Sequence, residues 1–69
     1  MEEKLQELLA QYKALRKERY LSRGMDERGA SAACEYARLD LINEMASTKK
    51  IEYKIAWVED EIDMLKEVI

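Results

Sequence analysis

The spacing of apolar residues predicts two amphipathic helices of unequal length. In the first, apolar side chains recur at i, i+3, i+4 and i+7, the spacing that gathers them on one face of an α-helix. These residues are Leu5, Leu8, Leu9, Tyr12 and Leu15. Acidic residues open this segment and basic residues close it, which suits the helix dipole. A helix is therefore expected over residues 2–22.

The two glycines of the chain lie close together and mark a turn. Gly24 can take the left-handed conformation that often ends a helix. Asp26 is suited to be the N-cap of the next helix, and Ser31 is an alternative cap. We therefore expect a turn over 23–29 and a second helix over 30–69.

The second helix carries a row of aliphatic residues that alternate at spacings of four and three, as in a coiled coil. This heptad row consists of Ile51, Ile55, Val58, Ile62, Leu65 and Ile69. At about 1.5 Å per residue, the second helix would span about 60 Å and the first only about 30 Å. Because the first helix would then be too short to cover the heptad row, the row is predicted to form the interface of a homodimer.

The predicted fold is all-α, with a single domain over residues 1–69. Its first form is an antiparallel helical hairpin with a longer second helix, dimerising through a coiled-coil-like contact. Its alternative is a three-helix bundle, which needs a break near residues 47–49. There Ser47 and Thr48 compete for backbone hydrogen bonds. No glycine or proline marks that position, so the continuous helix is the first expectation.

Length and composition also favour self-association. A chain of 69 residues with one cysteine and no histidine can form neither an internal disulfide nor the usual zinc sites. Folds below about 70–80 residues often need such support or an oligomer. A single free cysteine and the lack of a long apolar segment predict a cytoplasmic protein with no membrane partner.

A second apolar stripe lies on another face of the second helix. This aromatic row consists of Tyr53, Trp57, Met64 and Val68. Since Tyr, Trp and Met are frequent in binding interfaces, we expect the first three to contact a partner protein. The basic end of the first helix is the other candidate surface, with Arg16, Arg19, Tyr20 and Arg23. Alternatively, the aromatic row packs within the dimer.

Basic residues interleaved with tyrosines also suggest a nucleic-acid-binding surface. They are Lys13, Arg16, Lys17, Arg19 and Arg23. The formal net charge of −3 argues against this class, so nucleic acid is not expected as a partner. A structural coiled-coil subunit is the remaining alternative.

Nothing in the chain indicates catalysis. Cys34 has no histidine to activate it and lies among alanines, which is typical of a close helix crossing. No loop supplies the oxygen ligands that a divalent cation needs. We therefore expect a protein that is not an enzyme and has no cofactor or metal.

The chain length, the two-helix layout and the expected dimer resemble the quorum-sensing anti-activator proteins of temperate Pseudomonas phages. This resemblance implies a phage protein that acts in the cytoplasm of the host cell. It further implies binding to a host transcription activator of the LuxR type, which is thereby kept from DNA. The resulting hypothesis is a non-enzymatic, dimeric inhibitor or adaptor.

Overall fold

A computed structural model describes residues 1–67 and contains three α-helices and one short 3-10 helix. Helix α1 spans Glu2–Ser22 and helix α2 spans Glu27–Glu44. The 3-10 helix Met45–Ser47 follows directly, and helix α3 spans Ile51–Glu67. Over this range the protein is all-α, as the sequence predicts.

Helix α1 ends in a Schellman motif centred on a glycine. Gly24 has φ of 96° and donates its N–H to the carbonyl of Leu21. The N–H of Met25 reaches back to the carbonyl of Tyr20 at 3.1 Å. These two bonds satisfy carbonyls that a helix end leaves unpaired. Gly24 thus closes the helix in the left-handed conformation that the sequence suggests.

Helix α2 begins earlier than expected because Asp26 is its N-cap. The Asp26 side chain accepts a hydrogen bond from the N–H of Gly29 at 2.7 Å. A Cβ at Gly29 would lie 2.8 Å from this carboxylate oxygen, so the cap favours glycine there. The predicted turn over 23–29 is therefore too long, since Glu27 is already helical.

The predicted continuous helix over 30–69 does not form. Helix α2 ends at Glu44, and Thr48 is extended, with φ of −88° and ψ of 113°. This break agrees with the three-helix alternative. Met45 is buried at the bend, and folding back buries the apolar side chains of α3. Burying one large apolar side chain contributes about 1.5–3 kcal/mol, which offsets the helical hydrogen bonds lost at the break.

Helix α1 lies between the other two helices and packs against both. Ion pairs of 2.5 Å join Lys13 to Glu35 and Lys17 to Glu27, so α1 and α2 run in opposite directions. A guanidinium N–H of Arg19 meets the carbonyl near the end of α3, so α1 and α3 run in the same direction. Helices α2 and α3 make little direct contact with each other. The bundle is consequently open on one side.

The hydrophobic core takes side chains from all three helices. Helix α1 supplies four residues of its predicted apolar face, and the others come from α2, the 3-10 helix and α3. The buried cluster consists of Leu5, Leu8, Leu9, Tyr12, Leu41, Met45, Val58 and Ile62.

The heptad row is part of this core. Val58 and Ile62 are buried, and Ile51, Ile55 and Leu65 pack against the cluster while partly exposed. Ile69 lies outside the described residues. The premise that the row has no partner within the chain is therefore wrong, since α3 folds back onto α1. A dimer through the heptad row stays a prediction without that support.

Candidate functional site

The open side of the bundle forms a groove between α2 and α3, with α1 as its floor. It encloses about 510 Å³. We call it the α2–α3 groove. Tyr12, Arg16 and Tyr20 of α1 lie along the floor, and Glu61 lies on the α3 wall. The α2 wall is formed by Ala33, Tyr36, Ala37, Asp40, Leu41 and Glu44.

Two adjacent rows of α2 shape the groove wall. Ala33 and Ala37 have short side chains, which leave room above the α1 floor. Tyr36, Asp40 and Glu44 follow one another at intervals of four residues and therefore lie along one edge of the helix. Tyr36 is 69% exposed. A large aromatic side chain is thus held at the rim, where a ligand can reach it.

Arg16 is the basic group in the groove. Its Nε donates a 3.0 Å hydrogen bond to the hydroxyl of Tyr12, one turn earlier on α1. Burial by itself would lower the pKa of Arg16, but this bond and the nearby Tyr12, Tyr20 and Glu61 outweigh it and raise the pKa. Arg16 is therefore a fixed positive charge that is already held by groups of the groove.

A smaller depression of about 210 Å³ adjoins the groove at the end of α1. Arg16, Arg19 and Arg23 line it together with Met64. Arg19 donates a 2.5 Å hydrogen bond to the carbonyl of Leu65 in the last turn of α3. A cation at this position suits the negative end of the helix dipole. Arg19 therefore holds the end of α3 against α1.

The aromatic row lines a third depression, of about 450 Å³, on the outer side of α3. Tyr53 is 62% exposed and Met64 is 56% exposed, while Trp57 is partly buried against the core. Val68 lies outside the described residues. Glu61 lines this depression as well as the other two.

The structure therefore brings the predicted partner-binding residues to one continuous surface. All four tyrosines and the single tryptophan lie on it. Tyr12, Tyr20 and Tyr36 line the α2–α3 groove, and Tyr53 and Trp57 line the adjoining depression on α3.

Most of the cations considered for nucleic-acid binding are engaged within the fold. Lys13 pairs with Glu35 and Lys17 pairs with Glu27. Arg16 is bonded to Tyr12, and Arg19 to a backbone carbonyl. Phosphate binding would have to compete with these contacts, which weakens the argument for a nucleic-acid surface.

Sequence reasoning missed the acidic wall of the groove, which consists of Asp40 and Glu44 with Glu61. The intervals of four from Tyr36 to Glu44 were the available signal. The pattern did not point to a site, because a groove exists there only if α3 folds back beside α2. The exposed edge of a longer hairpin helix would show the same pattern.

The described residues offer few groups for covalent or metal chemistry. Cys34 is buried, and its Sγ lies 3.1 Å from the carbonyl of Ser31, to which it donates a hydrogen bond. Between residues 1 and 67, no three cysteine or acidic side chains are grouped so as to hold a metal ion. In the same range, no helix has the length and apolar character needed to cross a membrane.

No family model matches this chain, and neither the curated proteins nor the solved structures include a significantly similar chain.

Proposed function

We propose that this protein is a non-enzymatic inhibitor or adaptor that binds a basic segment of a partner protein in the α2–α3 groove. The observation that supports the proposal is the combination of three tyrosines with acidic side chains in one open groove. Such a groove offers stacking surfaces and negative charge, and it needs no chemical reaction to act.

Tyr36 and, in part, Tyr20 provide the aromatic contact area, since Tyr12 is buried and its ring is covered by Arg16. Tyrosine is enriched at the centres of binding interfaces, because it buries a large ring and keeps a hydroxyl for hydrogen bonding. Tyr36 stands at the rim, whereas Tyr12 is buried in the floor and bonded to Arg16. The floor is therefore pre-formed, and a partner would order mainly the exposed ring of Tyr36.

The charges select a basic segment. Among residues 1–67, Asp40, Glu44 and Glu61 form no ion pair. The groove is lined by these three carboxylates and by one guanidinium, that of Arg16, so its negative charge is in excess. Lysine or arginine side chains of a partner would pair with the carboxylates and lie against the tyrosine rings.

A basic segment is also what a DNA-binding protein presents to phosphates. Occupation of such a segment by the groove would block DNA binding by steric exclusion alone. The resemblance to anti-activator proteins proposes a LuxR-type transcription activator as the first partner to test. In this proposal the protein is an inhibitor of transcription activation.

The proposal is tested by titrating a purified LuxR-type activator with the protein, in the presence and absence of operator DNA. We expect binding that competes with DNA and weakens as salt increases. The double variant Asp40→Asn with Glu44→Gln should weaken binding about tenfold or more, because two charge pairs at the interface are lost. Tyr36→Ala should weaken it comparably.

Glu52→Gln is the matched control, because Glu52 is an exposed carboxylate of α3 that does not line the groove. It should bind as the wild type does. Equal affinity of the wild type and the Asp40/Glu44 variant would refute the groove as the binding site. Absence of any binding would exclude the activator as the partner. Capture from a bacterial lysate by the wild type, but not by the Tyr36 variant, would then show which other protein the groove binds.

A further inference from the structure

The outer face of α3 carries an apolar stripe that the α2–α3 groove does not use. Tyr53, Trp57 and Met64 follow at spacings of four and seven, so they lie along one side of the helix, and the acidic Asp60 stands between the last two. Tyr53 and Met64 are mostly exposed, although α3 already has its heptad row in the core.

Most charges of α3 are ordered against the dipole of the helix, with Glu52 in its first turn and Lys66 in its last turn as the exceptions. Lys50 and Lys54 stand at its N-terminal end, where the dipole is positive. The acidic residues gather in its C-terminal half, where the dipole is negative. They are Glu59, Asp60, Glu61, Asp63 and Glu67, with only Lys66 among them. This order disfavours an isolated helix and favours an antiparallel neighbour with the same order.

From these two features we infer that α3 pairs in an antiparallel manner with α3 of a second copy of this chain. Each lysine end then meets the acidic half of the other copy, and the two helix dipoles oppose and partly cancel. A register with Tyr53 against Met64 of the second copy brings Lys54 beside Glu61 of the second copy. A two-fold axis repeats every such contact, so this ion pair occurs twice.

Lys54 and Glu61 have no other ion-pair partner between residues 1 and 67. They are seven residues apart on one edge of α3. Two helical turns separate them by about 10 Å, which is too far for a pair within one chain. Their charges are therefore complementary across copies and not within one copy.

This interface differs from the predicted dimer through the heptad row, which lies in the core of each copy. It shares Glu61 with the α2–α3 groove, whereas Tyr36, Asp40 and Glu44 of the groove stand on α2, so variants at those three residues test partner binding without changing this interface. Small folds frequently gain stability by association of this kind.

The test reverses the charge of one member of the ion pair in each of two variants. Sedimentation velocity of the full chain then measures dimer formation by each variant and by their mixture. Wild-type protein should be a dimer. Lys54→Glu and Glu61→Lys should each raise the dimer Kd about tenfold or more, because each places two like-charged pairs across the interface. A mixture of these two variants should form heterodimers of near wild-type affinity, because both pairs are then of opposite charge.

The single tryptophan, Trp57, provides a second readout, since its fluorescence should change when the dimer dissociates on dilution. Tyr53→Ser and Met64→Ser change exposed side chains and should weaken the dimer with the fold intact by circular dichroism. Leu39→Ser, an exposed residue of α2 outside these depressions, is the matched control and should leave the dimer unchanged. Monomeric wild-type protein, or a mixture of the charge variants that fails to associate while each remains folded, would overturn the inference.

Discussion

The two apolar rows of α3 run along one helix but differ in burial. In the heptad row, Val58 is 0% exposed and Ile62 is 4% exposed. In the aromatic row, Tyr53 and Met64 remain largely in solvent. Both rows belong to one helix, so local helix propensity cannot account for the difference. It arises from which row faces α1.

The chemistry of the side chains explains which of the two rows is buried against α1. Valine and isoleucine have stiff, branched side chains without polar atoms, so burying them leaves no hydrogen bond unsatisfied. Tyrosine has a hydroxyl and tryptophan an indole N–H, which favour a position with one end in solvent or against a partner. The aliphatic row therefore serves the core, and the aromatic row remains available for binding.

The most direct test of this difference is to truncate one residue in each row. Ile62→Ala should lower the free energy of unfolding by about 2–5 kcal/mol, because it leaves a cavity in the core. Met64→Ala should change it by less than about 0.5 kcal/mol, because Met64 is mostly exposed. Urea denaturation at low protein concentration measures both values without a contribution from association. Similar losses for the two variants would contradict the described orientation of α3.

A smaller effect is expected from the hydrogen bond that holds the end of α3. Arg19→Ala should lower the free energy of unfolding by about 1 kcal/mol, because the Leu65 carbonyl loses its charged donor. Arg23→Ala is the matched control, since no hydrogen bond of its side chain is seen within residues 1–67. Hydrogen exchange at the amides of residues 61–67 should accelerate in the first variant only. Equal acceleration in both would mean that Arg19 does not fix this end of the helix.

The smallest expected effect is the pH dependence of the free energy of unfolding. It distinguishes the polar α1–α2 contact from the apolar α1–α3 contact. Hydrogen bonds from Lys13 and then Arg38 hold the pKa of Glu35 below its ordinary value of 4.5. The stabilisation from Glu35 is therefore complete above that value and is lost as the pH falls through the lower, folded-state pKa. Acid should weaken the α1–α2 contact, whereas the heptad row contains no titratable group.

The measurement is the difference in unfolding free energy between the wild type and Glu35→Gln as a function of pH. This difference should be greatest near neutral pH and shrink as the pH falls below about 4.5. A difference that does not depend on pH would show that the ionised carboxylate of Glu35 does not stabilise the fold.

Much of the local structure could be predicted from the sequence. The apolar face of α1, the left-handed Gly24 and the capping residue Asp26 all follow from short-range rules of spacing and backbone geometry. The path of the chain after α2 could not be predicted in this way. Ser47 and Thr48 weaken a helix only slightly, so the break depends on contacts between residues far apart in sequence.

The same limit applies to the candidate site. Arg16, Tyr20, Tyr53 and Trp57 could be singled out as exposed or unusual residues on helices. The position of Arg16 and Tyr20 beside Asp40 and Glu44 could not be predicted, because the α2–α3 groove is created when α3 returns alongside α1.

The sequence by itself determined the helical character of the chain, the turn at Gly24 and the existence of two apolar rows on α3. These properties depend on residues within a few turns of one another. Only the tertiary structure decided that the second helical segment divides, that the heptad row is internal and that three of the four tyrosines share one groove. The physical reason is that burial of Val58 and Ile62 against α1 outweighs the small local preference for continuing the helix.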